Sequence, residues 1–185
     1  MKSVTRRYLP LALLLAGGTV AAGLTARKPR AAPAALAGLD LLHPPKPAPA
    51  LTFRDATGKN VALAAYRGRG VVLNLWATWC APCVAEMPAL NRLAGALRGT
   101  PIAVLAVSMD LGGPATVRRF YARHHIDALP VLLDPDGDAA HALGVQGVPA
   151  TFLIDRAGRI VAWAQGAQDW ASAGAIARVK TLLGG

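Results

Sequence analysis

NLWATWCAPCVAEMP, residues 74–88, holds both cysteines of the chain, Cys80 and Cys83, three positions apart. They stand just past the apolar run VVLNLW (71–76), whose length and composition read as a buried strand. From Cys83 to Leu97 the apolar Met87, Leu90, Leu93, Ala94 and Leu97 recur at helical spacing, with Pro88 as a break or kink. A strand that feeds a helix through Cys80 leaves its sulfur near unsatisfied helix N–H groups and the positive end of the dipole. That setting stabilises a thiolate and makes Cys80 the nucleophile. Cys83, one turn inside the helix, is then placed to attack the mixed disulfide that results.

Two other uses of the pair compete with this one. Structural zinc needs four ligands, and no second Cys or His pair is present: His124 and His125 are adjacent, and His141 is isolated. A structural disulfide closing so short a loop constrains the unfolded chain little and contributes little stability. Redox exchange is the chemistry that needs this pair at this spacing.

The chain of 185 residues is long enough for one domain with a sizeable core. Its formal net charge of +10 is concentrated towards the start, where residues 1–50 hold seven Lys/Arg and one Asp. The remainder has thirteen basic and nine acidic residues and no basic run interleaved with aromatics, so nucleic acid is not an expected partner. Lys2, Arg6 and Arg7 precede the apolar stretch Tyr8 to Ala26, so residues 1–30 read as a signal peptide or a membrane anchor. TRRYLPL resembles a twin-arginine export signal, with Leu9 and Pro10 in place of the usual Phe-Leu. Ala35-Leu36-Ala37 fits a cleavage site. The expected location is periplasmic, or the extracytoplasmic face of the inner membrane. Residues 31–50, rich in Ala and Pro, are expected to form an extended, polyproline-like linker, and 51–185 the folded domain.

Within that domain LTFRDATGKNVAL (51–63) reads as a hairpin around the turn-rich 55–60. IAVLAVS (102–108) is a second buried strand, followed by a helix from Pro114 to His124. PVLLD and a short helix from Asp136 to Leu143 come next, then the strands ATFLID and RIVAWAQ joined by a turn at 156–159. Asp169 is expected to cap a last helix through Leu183. Alternating strands and helices that end in a hairpin and a helix indicate an α/β fold, a central mixed β-sheet flanked by helices on both faces.

WCAPC after an apolar strand, with Pro88 five positions past the second cysteine, resembles the thioredoxin superfamily. GVQGVPATFLID (144–155) is similar to the superfamily's cis-proline segment, which implies a cis Val148-Pro149 bond beside the cysteines and backbone there that binds substrate. The resemblance extends over roughly residues 50–183 to the exported TlpA/ResA/CcmG-like thiol-disulfide oxidoreductases, with an N-terminal β-hairpin and an inserted strand-helix unit. Asn74 stands six residues before Cys80, where cytoplasmic thioredoxins have a buried Asp, while Glu86 matches an acidic residue of the TlpA-like group. The resemblance therefore implies catalytic roles for Cys80, Cys83 and Glu86, the last as proton carrier; the other reading of Glu86 is a solvent-exposed acid favoured by the dipole of the helix's first turn. It implies substrate contact at Trp79, Val148 and Pro149, and tuning of the redox potential by Ala81 and Pro82. Trp76 reads as core.

No cofactor beyond the Cys80-Cys83 disulfide is expected. The expected substrates are disulfides in apo-cytochrome c or other exported proteins, with recharging by a membrane dithiol donor of the DsbD/CcdA type. Two rivals are a thiol peroxidase and a Sco-like copper carrier. The peroxidase pattern PxxxTxxC would need Pro and Thr where Leu73 and Ala77 stand, and the copper carrier's CxxxC is one residue longer than the spacing here.

Overall fold

Strand VVLNLW is the centre of the molecule and is buried along its whole length. In the computed structural model, which describes Leu36 and residues 38–184, the elements run as follows. Strands β1 (Asp40–Pro47), β2 (Thr52–Asp55), β3 (Asn60–Ala62) and β4 (Gly70–Trp76) precede helix α1 (Ala81–Ala96). Strand β5 (Ile102–Ser108), helix α2 (Gly113–His124), the two-residue β6 (Leu132–Leu133) and helix α3 (Asp138–Ala142) follow. The antiparallel β7 (Ala150–Ile154) and β8 (Arg159–Gln165) lead to the last helix, α4 (Ala173–Leu183). All strands lie in one mixed sheet of order β1-β8-β7-β4-β5-β6-β2-β3. β4, β5 and β6 are parallel to one another and the other pairings are antiparallel.

The period-2 alternation of strands divides the core in two. Val72 and Trp76 of β4, with Val104 and Ala106 of β5, face α1, α2 and α4. Val71, Leu73 and Leu75, with Leu105 and Val107, face the β2–β3 hairpin, a 3-10 turn at Leu63–Tyr66 and the short α3. Helices thus cover both faces, unequally. Cys83, Met87, Leu90 and Leu93 of α1 are fully enclosed. Each large apolar side chain among them contributes about 1.5–3 kcal/mol relative to exposure. Helix α1 runs on through Pro88, which has no N–H to offer the Val84 carbonyl one turn back. Trp76 is core, stacked on Tyr121 at 6.0 Å and tilted against Phe120 at 4.9 Å.

Three expectations need correction. The second half of the Ala/Pro segment is not a polyproline spacer: residues 40–47 form the edge strand β1, paired with β8 and shifted in register between Leu41 and Lys46. Proline is tolerated there because an edge strand leaves half its N–H groups unpaired. Ser172, rather than Asp169, caps α4: its Oγ accepts from Ala175 N at 3.2 Å, while Asp169 accepts from Ala171 N before the helix begins. The strand expected over PVLLD shrinks to two residues. The leader, residues 1–30, lies outside the described residues. Among the described ones no helix is long and apolar enough to cross a membrane.

Candidate active site

The parallel pairing of β4 with β5 brings the C-terminal ends of both strands to one edge of the sheet. Cys80 and Cys83 lie at that edge, joined in a disulfide with Cα atoms 5.2 Å apart. Cys80 is the N-cap of α1, with extended backbone, and its Sγ accepts the Cys83 N–H at 3.3 Å. The sulfur thus does what a Ser or Asp oxygen does at other N-caps: it meets an unpartnered N–H of the first turn. Negative charge developing on this sulfur points along the favourable end of the helix dipole. Pro82 in the first turn has no N–H to leave unsatisfied, so proline suits that position.

The predicted cis Val148-Pro149 bond is present, and the Val148 carbonyl oxygen lies 3.4 Å from Cys80 Sγ. Pro149 is buried and its carbonyl accepts from Gly166 N at 2.8 Å, which anchors the cis-proline segment to the end of β8. The two sulfurs are not equivalent: Cys80 is 6% exposed and Cys83 is fully enclosed. Trp79, 69% exposed, stands beside Cys80. A cavity of about 600 Å³ opens here, bordered by Trp79, Cys80, Pro82, Met109, Val145 and Val148. Of the residues singled out in the sequence, Trp79, Cys80, Pro82 and Val148 therefore share one cavity. Ala81 is exposed beside it and does not line it.

Glu86 sits beneath the pair rather than on the surface, 3% exposed and three residues past Cys83 on the same buried side of α1. Oε1 accepts from Asn74 Nδ2 at 2.9 Å; Oε2 accepts from Gln168 N at 3.0 Å and Trp170 Nε1 at 3.3 Å. Burial pushes its carboxyl above the usual carboxylate range, and the three donors only partly offset this. Asn74 also donates to Thr151 Oγ1 at 2.9 Å, and its Oδ1 is buried without a partner among the described residues.

The sequence reading missed two parts of this arrangement. Trp170 and Gln168 reach Glu86 from the loop before α4, and nothing in their own neighbourhood signals it. Asp110 is different. It is buried just past β5, where it accepts from Thr78 N at 2.9 Å, Thr78 Oγ1 at 2.6 Å and Ser108 Oγ at 2.7 Å. It thereby ties the loop before Cys80 to the neighbouring strand end. A carboxylate directly after a buried strand parallel to β4 was a readable signal, since parallel strands end at the same edge.

Residues 44–163 match the model of the AhpC/TSA family. Among curated relatives, the thiol-disulfide oxidoreductase ResA of Bacillus thuringiensis subsp. konkukian is 34% identical over 123 residues, covering 66% of this chain and 70% of that protein. Among solved structures, a Chlorobium tepidum protein named for the thiol:disulfide interchange protein DsbE aligns with a TM-score of 0.62 and 28% identity. The alignment covers 75% of this chain and 93% of that one. The pneumococcal exposed lipoprotein thioredoxin Etrx1 of Streptococcus pneumoniae aligns with a TM-score of 0.59 and 28% identity, over 72% of this chain and 98% of that one.

Proposed function

Because the chain belongs to the AhpC/TSA family, with a thiol-disulfide oxidoreductase among its relatives, we propose that it reduces disulfides in exported proteins through Cys80 and Cys83. It has the thioredoxin-like fold and is a thiol-disulfide oxidoreductase. The observation that carries this reading is the Cys80–Cys83 disulfide at a helix N-terminus, with the carbonyl of a cis-proline segment 3.4 Å from the outer sulfur.

In the reduced protein the Cys80 thiolate attacks one sulfur of the partner's disulfide. The other sulfur leaves as a thiolate and takes up a proton. Cys83, deprotonated, then attacks Cys80 Sγ and displaces the partner's remaining sulfur, so the partner gains two electrons and this chain loses two. Cys83 is enclosed, so its proton needs an acceptor inside the protein. Glu86 takes that role, because a carboxyl with a raised pKa exchanges protons nearer to neutrality than an exposed one does. Trp79, Val148 and Pro149 hold the partner's backbone and side chains against Cys80. Ala81 and Pro82 tune the potential of the pair, and the disulfide is the only redox group the reaction needs.

The substrates of this reading are apo-cytochrome c or other extracytoplasmic proteins. Residues 1–30 export or anchor the chain, and a membrane dithiol donor of the DsbD/CcdA type returns it to the reduced state. A peroxidase mechanism is not favoured. Leu73 is buried inside β4 and Ala77 is buried just after it, where the peroxidatic pattern needs Pro and Thr.

Cys83→Ser tests the proposal. Without a resolving thiol, the mixed disulfide at Cys80 accumulates in cells, and mass spectrometry of the trapped complex identifies the partner. A Cys80 that stays reactive towards alkylating reagents and yet captures no protein refutes the exchange role.

A further inference from the structure

The chain has twenty Lys and Arg against ten Asp and Glu, and all ten acids are among the described residues. Most are engaged internally. Asp136 and Asp155 pair with Arg54 and Arg159, and these are the ion pairs among the described residues. Glu86 and Asp110 hold donors inside the active site. Asp55, Asp134 and Asp169 accept backbone N–H groups, and Asp127 accepts from the Asn91 amide. Arg119 and Arg123, one turn apart on the exposed side of α2, have no carboxylate partner among the described residues.

These two arginines border a groove of about 380 Å³, together with Thr78, Val84, Phe120 and His124. The near wall is the segment that bears the nucleophile. Thr78 precedes Cys80 by two residues, and Val84 donates its N–H to the Cys80 carbonyl at 3.0 Å. Trp79, Cys80 and Pro82, interleaved with them in sequence, border the apolar cavity instead. The active-site segment therefore borders two depressions of different lining: one with Trp79, Met109 and Val148, the other with Phe120, Arg119 and Arg123. Phe120, which is buried, and His124 stack at 4.2 Å and both line this groove.

We propose that this groove receives an acidic segment of the partner protein. The preferred partner then carries Asp or Glu beside its reactive cysteine on the α2 side and a bulky apolar residue on the side of Trp79. The inference rests on the thiol-disulfide exchange proposed above and adds the chemistry by which a partner is chosen. A guanidinium binds a carboxylate through paired N–H donors; Arg119 Nη2 donates to the groove's Thr116 Oγ1 at 3.2 Å, and the described residues supply no carboxylate to either arginine. The groove is concave and holds one or two side chains, which suits an extended peptide better than a flat lipid surface.

The test uses the reduced protein and short peptides whose single cysteine is in a mixed disulfide with a chromogenic aromatic thiol. Glu, Gln or Lys occupies the positions flanking that cysteine, and the released thiol is followed by absorbance. Two partly exposed charge pairs predict a rate about tenfold higher for the Glu peptide than for the Gln peptide at low ionic strength, with the Lys peptide slowest. The preference should vanish in about 1 M salt, where the Debye length is about 3 Å. The Arg119→Glu/Arg123→Glu variant should reverse the order, favouring Lys, while reacting with the free chromogenic disulfide at the wild-type rate.

Equal rates for the three peptides, or a Glu preference that survives in the variant, overturn the proposal while leaving the exchange chemistry intact. A wild-type protein inert towards the free disulfide as well refutes the exchange reading itself. Cosedimentation with phosphatidylglycerol vesicles that depends on both arginines, in a protein indifferent to the peptides, assigns the groove to a membrane surface instead.

Discussion

Replacing Glu86 with glutamine removes a buried charge while leaving its volume almost unchanged, and its effect on stability is expected to depend on pH in a definite direction. The carboxylate accepts three hydrogen bonds, from Asn74, Gln168 and Trp170, yet burial outweighs them and raises its pKa from the ordinary value of 4.5. The folded state therefore holds the proton more tightly than the unfolded chain. Well below pH 4.5 the side chain is protonated in both states and the penalty is absent. As pH rises from there towards the folded-state pKa, the wild type loses stability by at most about 1.4 kcal/mol per pH unit, and the loss is constant above it. The substituted glutamine carries no such penalty. Its oxygen can accept from Gln168 and Trp170, and its amide then faces Asn74, whose unpartnered Oδ1 becomes the acceptor when that amide rotates. These rearrangements shift the variant's stability by an offset of about 1–3 kcal/mol that does not vary with pH. Urea unfolding of both oxidised proteins from about pH 4 to about pH 8 isolates the pH-dependent part, because every other titrating group is common to the pair. Stability of the variant minus that of the wild type should rise with pH and then level off. A difference that is flat throughout, or that falls as pH rises, would refute the claim that burial dominates at Glu86.

Three further outcomes follow from the same geometry. Asn74→Asp sets a second carboxylate where Asn74 Nδ2 now lies 2.9 Å from Glu86 Oε1. It should cost about 3 kcal/mol or more at neutral pH and less in acid, with much of the loss recovered by adding Glu86→Gln, all read from urea midpoints. Asp110→Asn turns an amide nitrogen towards donors that now meet carboxylate oxygens, Thr78 N and Oγ1 and Ser108 Oγ. A loss of about 1–3 kcal/mol and faster hydrogen exchange at the Thr78 amide are expected, and unchanged exchange would mean that Asp110 does not hold this loop. A Cβ added at Gly70 would stand 2.6 Å from Leu183 Cβ and 3.0 Å from the Leu183 carbonyl oxygen. Gly70→Ala should therefore lower stability by about 1–3 kcal/mol through displacement of α4 from the sheet, measurable as a reduced midpoint.

The site was legible to different depths. VVLNLW, WCAPC and the apolar spacing of α1 were readable because they are local: a buried strand, an N-cap and one helical face each show within a dozen residues. The cis proline was readable through resemblance and lies where that resemblance requires, with Val148 against Cys80. Glu86 was readable as a residue three past Cys83, but whether it faces solvent or the core was not. Its burial is completed by Trp170, 84 residues further along the chain.

Sequence alone determined the fold class, the reactive pair and the polarity of the helix that activates it, because strand period, helix period and capping act over short range. Only the tertiary structure decided what lies opposite each face. It recruited residues 40–47 into the sheet as an edge strand, since an unpaired β8 edge offers backbone partners that composition does not reveal. It buried Glu86 beneath the loop before α4, and that burial raised the carboxyl's pKa against the opposing hydrogen bonds from Asn74, Gln168 and Trp170. It also set Arg119 and Arg123, which lie far from Thr78 in sequence, beside the loop that Thr78 belongs to, with no carboxylate among the described residues to pair them. A hydrophobic pattern specifies which face of an element turns inward. The partner that it meets there is settled by the packing of the whole chain.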